Sequence, residues 1–164
     1  MDTGRQLKKA HAELLCAIDA MEAVVRADAP DRTVLADVRW KISRASSNRV
    51  RLLEGRVYPE MLASASPSAC ERVKRLRAAG IILRAASSEH VKIWTIDNAV
   101  AAWECYRRAS AAMTASMRVR VAEECDILYP LLGRTSGQFA APVVELGRKW
   151  PSGPVARPPE YAAA

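Results

Sequence analysis

Aromatic residues are scarce in this sequence, and phenylalanine occurs only once in 164 residues. Alanine, arginine, valine and leucine are abundant instead. Alanine, leucine and arginine have high helix propensity, whereas strands are rich in aromatic and β-branched residues, so the composition favours helices. A chain of this length can bury one sizeable core, and we therefore expect a single all-α domain.

Two further absences bear on the location of the protein. Its four cysteines show no CxxC spacing and no small disulfide-rich scaffold around them, so we expect reduced thiols in a cytosol; they are Cys16, Cys70, Cys105 and Cys125. No stretch approaches the roughly 18 consecutive apolar residues that span a bilayer. The N-terminus, MDTGRQLKKAHAE, lacks the apolar segment of a signal peptide. The sequence therefore predicts a soluble, cytoplasmic protein without a membrane partner.

The net charge of +7 raises the possibility of nucleic-acid binding, because lysine and arginine release counterions from phosphate. The basic residues are spread over every segment, however, and no recognition motif is present. The local clusters, RVKRLR at residues 72–77 and Arg148-Lys149, are typical of solvated faces. Nucleic-acid binding is therefore an alternative that the charge pattern does not favour.

Apolar residues recur at spacings of three and four over four long stretches, which is the pattern of amphipathic helices. The predicted helices run from about residue 3 to 26, 31 to 57, 68 to 96 and 99 to 129. Tyr58-Pro59 is expected to end the second helix, because the residue before a proline is pushed out of the helical conformation. A capping box of the form S-x-x-E at residues 68–71 is expected to begin the third, and Asp97-Asn98 to form the corner before the fourth.

Four helices with short connections must alternate in direction, and each has one apolar stripe to bury. The sequence therefore predicts an up-down-up-down four-helix bundle over residues 1–134. The remaining segment, residues 135–164, contains five of the nine prolines and lacks helical periodicity. We expect it to form an irregular C-terminal tail.

Three of the four predicted stripes contain ionisable residues: His11 in the first, Arg49 in the second, and Arg120 with Glu124 in the fourth. At a rise of about 1.5 Å per residue, all four lie at a similar depth, so we predict that they converge near one end of the bundle. Two interpretations remain open. The cluster is either a set of ion pairs that satisfies itself, or a pocket for a small carboxylate or phosphate, because its cationic groups exceed its one acid.

The sequence around both arginines is repeated. Residues 49–59 and residues 120–130 each read Arg-Val-x6-(Val/Leu)-Tyr-Pro. Internal duplication of a two-helix unit is the simplest account of this repeat.

Together with Ala10-His11-Ala12-Glu13 near the N-terminus, these motifs resemble the hemerythrin-like (HHE cation-binding) family. The similarity covers about residues 7–132. Membership implies a four-helix bundle that holds a non-haem di-iron centre. Its ligands are a histidine early in helix one, His-x-x-x-Glu before a Tyr/Phe-Pro in helix two, histidines in helix three, and His-x-x-x-(Glu/Asp) before a second Tyr/Phe-Pro in helix four.

This sequence has other residues at three of those ligand positions, namely Arg49, Leu53 and Arg120. Arginine cannot bind a metal ion, because its guanidinium stays protonated. His11 and Glu124 remain as candidate ligands, and His90 would join them if the third corner lay near residue 105. We therefore expect no metal cofactor, and a di-iron or single-iron centre is the alternative.

The sequence has no nucleophile-base pair, glycine-rich phosphate loop or paired buried carboxylates, so we predict that the protein is not an enzyme. The favoured function is the sensing of a small ligand or interaction with a protein partner, and a homo-oligomer is compatible with either. One alternative is an iron-binding protein that handles oxygen, nitric oxide or iron. A second is a basic helical protein that binds nucleic acid.

Overall fold

A computed structural model describes residues 2–136 of the chain. The regular structure within that range is entirely helical, which confirms the all-α prediction. The helices are α1 (Thr3–Val25), α2 (Arg32–Leu52), α3 (Tyr58–Ser64), α4 (Pro67–Ile93), α5 (Ile96–Ala101) and α6 (Trp103–Ser136), and a π-helical turn (Leu53–Val57) joins α2 to α3. The predicted tail lies outside the described residues, except for its first two positions, which end α6. None of these helices has the length and apolar content needed to cross a membrane.

Side chains of small polar residues determine where the helices begin. The carboxylate of Asp31 accepts a hydrogen bond from the backbone N–H of Val34 at 3.0 Å, which caps α2 where the sequence predicts its start. The capping box predicted at residues 68–71 is wrong. Ser66 caps α4 instead, and Pro67 occupies the first turn of that helix, where a missing N–H costs no hydrogen bond.

Both Tyr-Pro pairs lie inside continuous helical structure, so the predicted end of the second helix at Tyr58-Pro59 is wrong. The π-helical turn widens the backbone just before this pair, and Pro59 then falls in the first turn of α3, where its ring is tolerated. Pro130 is incorporated within α6. Proline restricts the backbone locally, but the packing of the flanking turns decides whether a helix continues.

The corner before the last long helix also differs from the prediction. Asp97-Asn98 does not form a turn but lies within the short helix α5, which Thr95 caps by accepting a hydrogen bond from the N–H of Asn98 at 3.2 Å. The helical backbone is interrupted at Trp94 and at Ala102, on either side of α5, and α6 begins at Trp103 rather than near residue 99. The short helix α5 is therefore an additional element that the apolar periodicity does not predict.

The four long helices, α1, α2, α4 and α6, enclose the buried residues. Helix α1 packs along α2 and α6, and α4 packs along α6. Three groups of apolar side chains fill the interior: one around Trp94, Trp103 and Tyr106 at the α5 end, one around Leu14 and Ile18 in the middle, and one around Leu7, Tyr58 and Leu128 at the other end. The predicted ionisable residues lie between the middle group and the last group.

Candidate functional site

The structure brings together the four ionisable side chains that the sequence singles out. His11 belongs to α1, Arg49 to α2, and Arg120 and Glu124 to α6. Their exposed fractions are 3% for His11, 5% for Arg49, 3% for Arg120 and 0% for Glu124. Charged groups removed from water in this way must be compensated by one another or by a ligand. We refer to these four residues as the polar cluster.

Glu124 is the centre of the polar cluster and uses both of its carboxylate oxygens. Oε2 accepts hydrogen bonds from Arg49 Nη1 at 2.7 Å and from His11 Nε2 at 2.9 Å. Oε1 accepts from Arg120 Nε at 2.7 Å, one helical turn away on α6. Because an ionised carboxylate only accepts, His11 carries a proton on Nε2. Charge-assisted hydrogen bonds of these lengths are among the stronger ones in proteins.

Two tyrosines complete the hydrogen bonding, although the sequence indicated them only as residues that precede prolines. Tyr58 OH accepts from Arg120 Nη2 at 2.9 Å, and Tyr129 OH lies 2.7 Å from His11 Nδ1. Burial raises the pKa of Tyr58 to about 12, so its hydroxyl is neutral at physiological pH. The signal that could have found them is the repeat, since each copy contributes its arginine and its tyrosine to the same cluster.

Gly80 on α4 is a further residue whose role the sequence did not reveal. A Cβ atom at this position would lie 2.7 Å from Nη2 and 3.2 Å from Cζ of Arg120. A side chain at this position would therefore displace the guanidinium of Arg120, which occupies that volume. A helical glycine costs about 1 kcal/mol of stability relative to alanine. At position 80 the glycine leaves room for the guanidinium of Arg120.

The polar cluster has an excess of positive charge and of hydrogen-bond donors. Two arginines face one carboxylate, so the cluster carries an excess positive charge even when His11 is neutral. Two of its buried N–H groups, Arg49 Nε and Arg120 Nη1, have no hydrogen-bond partner in the part of the chain that the structure describes. Arg120 Nη1 is within ion-pair range of Glu123 Oε2 at 3.9 Å, which is too long for a hydrogen bond. An unsatisfied buried donor of this kind favours an acceptor that the protein itself does not supply.

The arginines of the polar cluster line a small cavity, which we call the inner cavity. Its volume is about 30 Å³, and its walls also include Tyr58, Gly80 and Glu124. It adjoins a larger space between α2, α4 and α6, the outer cavity, whose volume is about 770 Å³. Ser46, Val50, Arg84, Ser87 and Met117 line both spaces. We call the two adjoining spaces together the recess, and Arg49 and Arg120 line its smaller part.

Burial disfavours the ionised form of Glu124, but the hydrogen bond from His11 and the charges of both arginines outweigh it, so the pKa of Glu124 lies below its usual value. Burial likewise lowers the pKa of His11, yet the hydrogen bonds with Cys125 and Glu124 more than compensate and raise this pKa above 6.5. Nothing in the sequence pattern indicates that the Cys125 thiol, 3.6 Å from His11 Nδ1, contacts the cluster.

His90, the third candidate metal ligand, lies elsewhere. Its ring is 6.0 Å from the ring of Tyr106, near the α5 end of the helices, and it lines the outer cavity. Burial and the nearby charge of Arg39 lower the pKa of His90 to about 4. Since α5 makes the corner directly after α4, the later corner that would bring His90 to the polar cluster does not exist.

The two histidines are expected to titrate on opposite sides of the usual histidine pKa. The raised pKa of His11 stabilises the fold below about pH 6.5, and this stabilisation is lost as the pH rises through the higher folded value. The lowered pKa of His90 stabilises the fold above about pH 6.5, and this stabilisation is lost as the pH falls towards about 4. Proton NMR titration of the imidazole resonances checks both directions, with His90→Gln to assign them. Superimposed curves near pH 6.5 would contradict the expected environments.

The donor set at the polar cluster does not fit a di-iron centre. Both oxygens of Glu124 accept hydrogen bonds from arginine, and Arg49 and Arg120 place positive charge where a cation would have to lie. Over residues 2–136, no three His, Cys, Asp or Glu side chains are close enough together to hold one metal ion. The geometry is instead that of a site at which guanidinium groups supply the positive charge.

No protein-family model, curated protein or solved structure matches this chain.

Proposed function

We propose that this chain is a non-enzymatic, hemerythrin-like bundle of four helices in up-down-up-down order, whose metal centre has been replaced by arginine and which senses a small anionic ligand. The resemblance of residues 7–132 to the HHE motifs supports the fold assignment, as do the four long helices. Arg49 and Arg120 occupy positions at which that family has histidine ligands, and each lies against Glu124. The positive charge of the centre is thus retained in a different chemical form.

The observation that carries the proposal is that one N–H group on each of two buried arginines has no partner among residues 2–136, and that both arginines line a cavity. A self-contained ion-pair cluster would be expected to satisfy its donors, because burying an unpaired polar group costs about 1–3 kcal/mol. A bound carboxylate or phosphate would accept from Arg49 Nε and Arg120 Nη1 and would neutralise the excess charge. Guanidinium groups present several N–H donors in a planar fork, which suits both kinds of oxyanion.

Formate, acetate or phosphate is expected to raise the melting temperature of the purified protein beyond the effect of chloride at equal ionic strength. A ligand that binds only the folded state stabilises it in proportion to the logarithm of its concentration, which corresponds to about 2.7 kcal/mol at a hundredfold excess over Kd. Thermal denaturation monitored by circular dichroism measures the shift.

Two arginine variants make the melting experiment specific. Arg49→Lys retains a charge for Glu124 but removes the Nε–H donor, so the anion-dependent shift should be lost. Arg77→Lys is the matched control, because Arg77 pairs with Glu54 on the surface and lines neither cavity. Equal shifts with every anion, including chloride, would count against the proposal.

Two other functions predict different results for the same preparation. An iron-binding protein should retain near-stoichiometric iron after expression with iron supplementation and should show a charge-transfer absorption band. A nucleic-acid-binding protein should retain DNA at low salt and release it as salt is raised. Either result would overturn the proposal of a metal-free ligand sensor.

A further inference from the structure

The outer cavity has the size and lining of a site for an organic molecule. Its volume of about 770 Å³ falls within the range of about 300–1,000 Å³ that is typical of small-molecule pockets. Apolar side chains from α2 and α6 form much of its wall, among them Trp40, Ile42, Val50, Tyr106, Met113 and Met117. Methionine and aromatic side chains adapt to the shape of an apolar ligand. An inorganic anion would leave most of this surface without a partner.

The charged side chains that line the outer cavity favour an anion. Arg39, Arg51 and Arg84 line the outer cavity, and no aspartate or glutamate among residues 2–136 does so. Arg84 is partly neutralised by Glu54, which accepts from its Nη1 at 3.1 Å. A cationic ligand would meet repulsion from the mouth of the recess to its inner end, where Glu124 is already paired with both arginines.

The inner cavity limits the acidic group that can reach the polar cluster. A space of about 30 Å³ accommodates roughly two water molecules. A terminal carboxylate is of this size, and its two oxygens could accept from the two unpartnered N–H groups. The rest of the molecule would pass Ser46 and Ser87 into the outer cavity, because these residues line both spaces.

We infer that the ligand is an elongated amphipathic monocarboxylate, with its acidic group at Arg49 and Arg120 in the inner cavity and its apolar body in the outer cavity. This inference rests on the proposed ligand-sensing function and specifies the chemical class of the ligand. It joins two observations: the donors on Arg49 and Arg120 that have no acceptor among residues 2–136, and the large apolar space next to the cavity that these arginines line. The apolar body contributes affinity in proportion to the area it buries, and the carboxylate sets the orientation.

Isothermal titration with decanoate, below its micellar concentration, tests this class directly. Three analogues each lack one feature: decylamine carries the opposite charge, 1-decanol carries none, and acetate has no apolar body. Decanoate is expected to bind at least about tenfold more tightly than each of them, which is the effect of about one charge-assisted hydrogen bond or of a few buried methylene groups.

Variants locate the two ends of the bound molecule. Arg49→Lys is expected to weaken decanoate binding by roughly tenfold. Ser46→Leu, which narrows the passage without removing a charge, should weaken it as well and keeps the test independent of the stability of the polar cluster. Arg77→Lys should leave decanoate binding unchanged. If Arg39→Gln abolished binding while Arg49→Lys did not, the carboxylate would lie at the outer arginine and the inferred placement would be overturned.

The remaining outcomes separate this inference from the proposed function. Equal binding of decylamine or 1-decanol would overturn the requirement for a carboxylate. If acetate bound as tightly as decanoate, the inferred apolar body of the ligand would be overturned, but the proposed anion sensor would remain. If neither decanoate nor formate, acetate or phosphate bound, both the inference and the proposed function would be rejected.

Discussion

Replacement of Glu124 by leucine is expected to lower the free energy of unfolding by about 3–5 kcal/mol, which is the range for breaking a buried ion pair by removing one partner. Glu124 is fully buried and accepts hydrogen bonds from Arg49, Arg120 and His11. Leucine fills a similar volume, so the loss would arise from two guanidinium groups left without their counterion in a site that excludes water. Urea denaturation followed by circular dichroism measures the change.

Glu123→Leu is the matched control. The neighbouring Glu123 side chain is 42% exposed, and its Oε2 makes only a long contact of 3.9 Å with Arg120 Nη1. Its effect should be within about 0.5 kcal/mol of zero. Adding Arg49→Met and Arg120→Met to Glu124→Leu should recover most of the lost stability, since apolar replacement of a whole buried ion cluster is often neutral or favourable. A wild-type unfolding curve for Glu124→Leu alone would show that the arginines reach solvent.

Gly80→Ala is expected to destabilise the protein by about 1–2 kcal/mol, although alanine normally stabilises a helix by about 1 kcal/mol relative to glycine. The new methyl group would lie 2.7 Å from Nη2 of Arg120 and would displace the guanidinium from Tyr58 and Glu124. Losing a hydrogen bond of a charged group costs about 1.5–3 kcal/mol, which exceeds the gain in helix propensity. Chemical denaturation of the variant checks both the sign and the size.

Gly55 provides the control for this second prediction. It lies in the π-helical turn, and a methyl group added there would meet no atom within 4 Å, so Gly55→Ala should be neutral or stabilising by up to about 1 kcal/mol. Combining Gly80→Ala with Arg120→Met, which has no guanidinium, tests whether the clash is with Arg120. The alanine should then cost less than it does in the wild-type background. An equal cost in both backgrounds would place the strain elsewhere.

Periodicity predicts the long helices and most of their buried faces. On α1, the residues Leu7, Leu14 and Ile18 are fully buried, and His11 is buried among them. The physical reason is that a helix places residues three and four positions apart on one face, so the interior selects an apolar pattern that can be read without coordinates. On α4 the pattern is less informative, because the spacing of three and four that places the buried Val73, Leu76 and Leu83 on one face also includes Val91, which is 56% exposed.

Local signals were less reliable where the backbone changes direction. Tyr58-Pro59 predicts the end of a helix, but the π-helical turn allows the chain to continue into α3. Asp97-Asn98 suggests a turn, but both residues lie within α5. Such dipeptides bias only a few dihedral angles, whereas burial of Trp94, Trp103 and Tyr106 against one another determines the path at this end of the protein.

For the polar cluster too, the sequence predicts one part of the arrangement and the structure supplies the other. The sequence by itself determined that the protein is helical and that His11, Arg49, Arg120 and Glu124 occupy otherwise apolar stripes, because helix propensity and helical spacing are properties of the local chain. Only the tertiary structure decided which atoms pair, that Gly80 leaves room for Arg120, and that Arg49 and Arg120 line a small cavity while each keeps one buried N–H group without a partner among residues 2–136. These features depend on side-chain directions and on gaps between helices that are distant in sequence, and no local pattern encodes either.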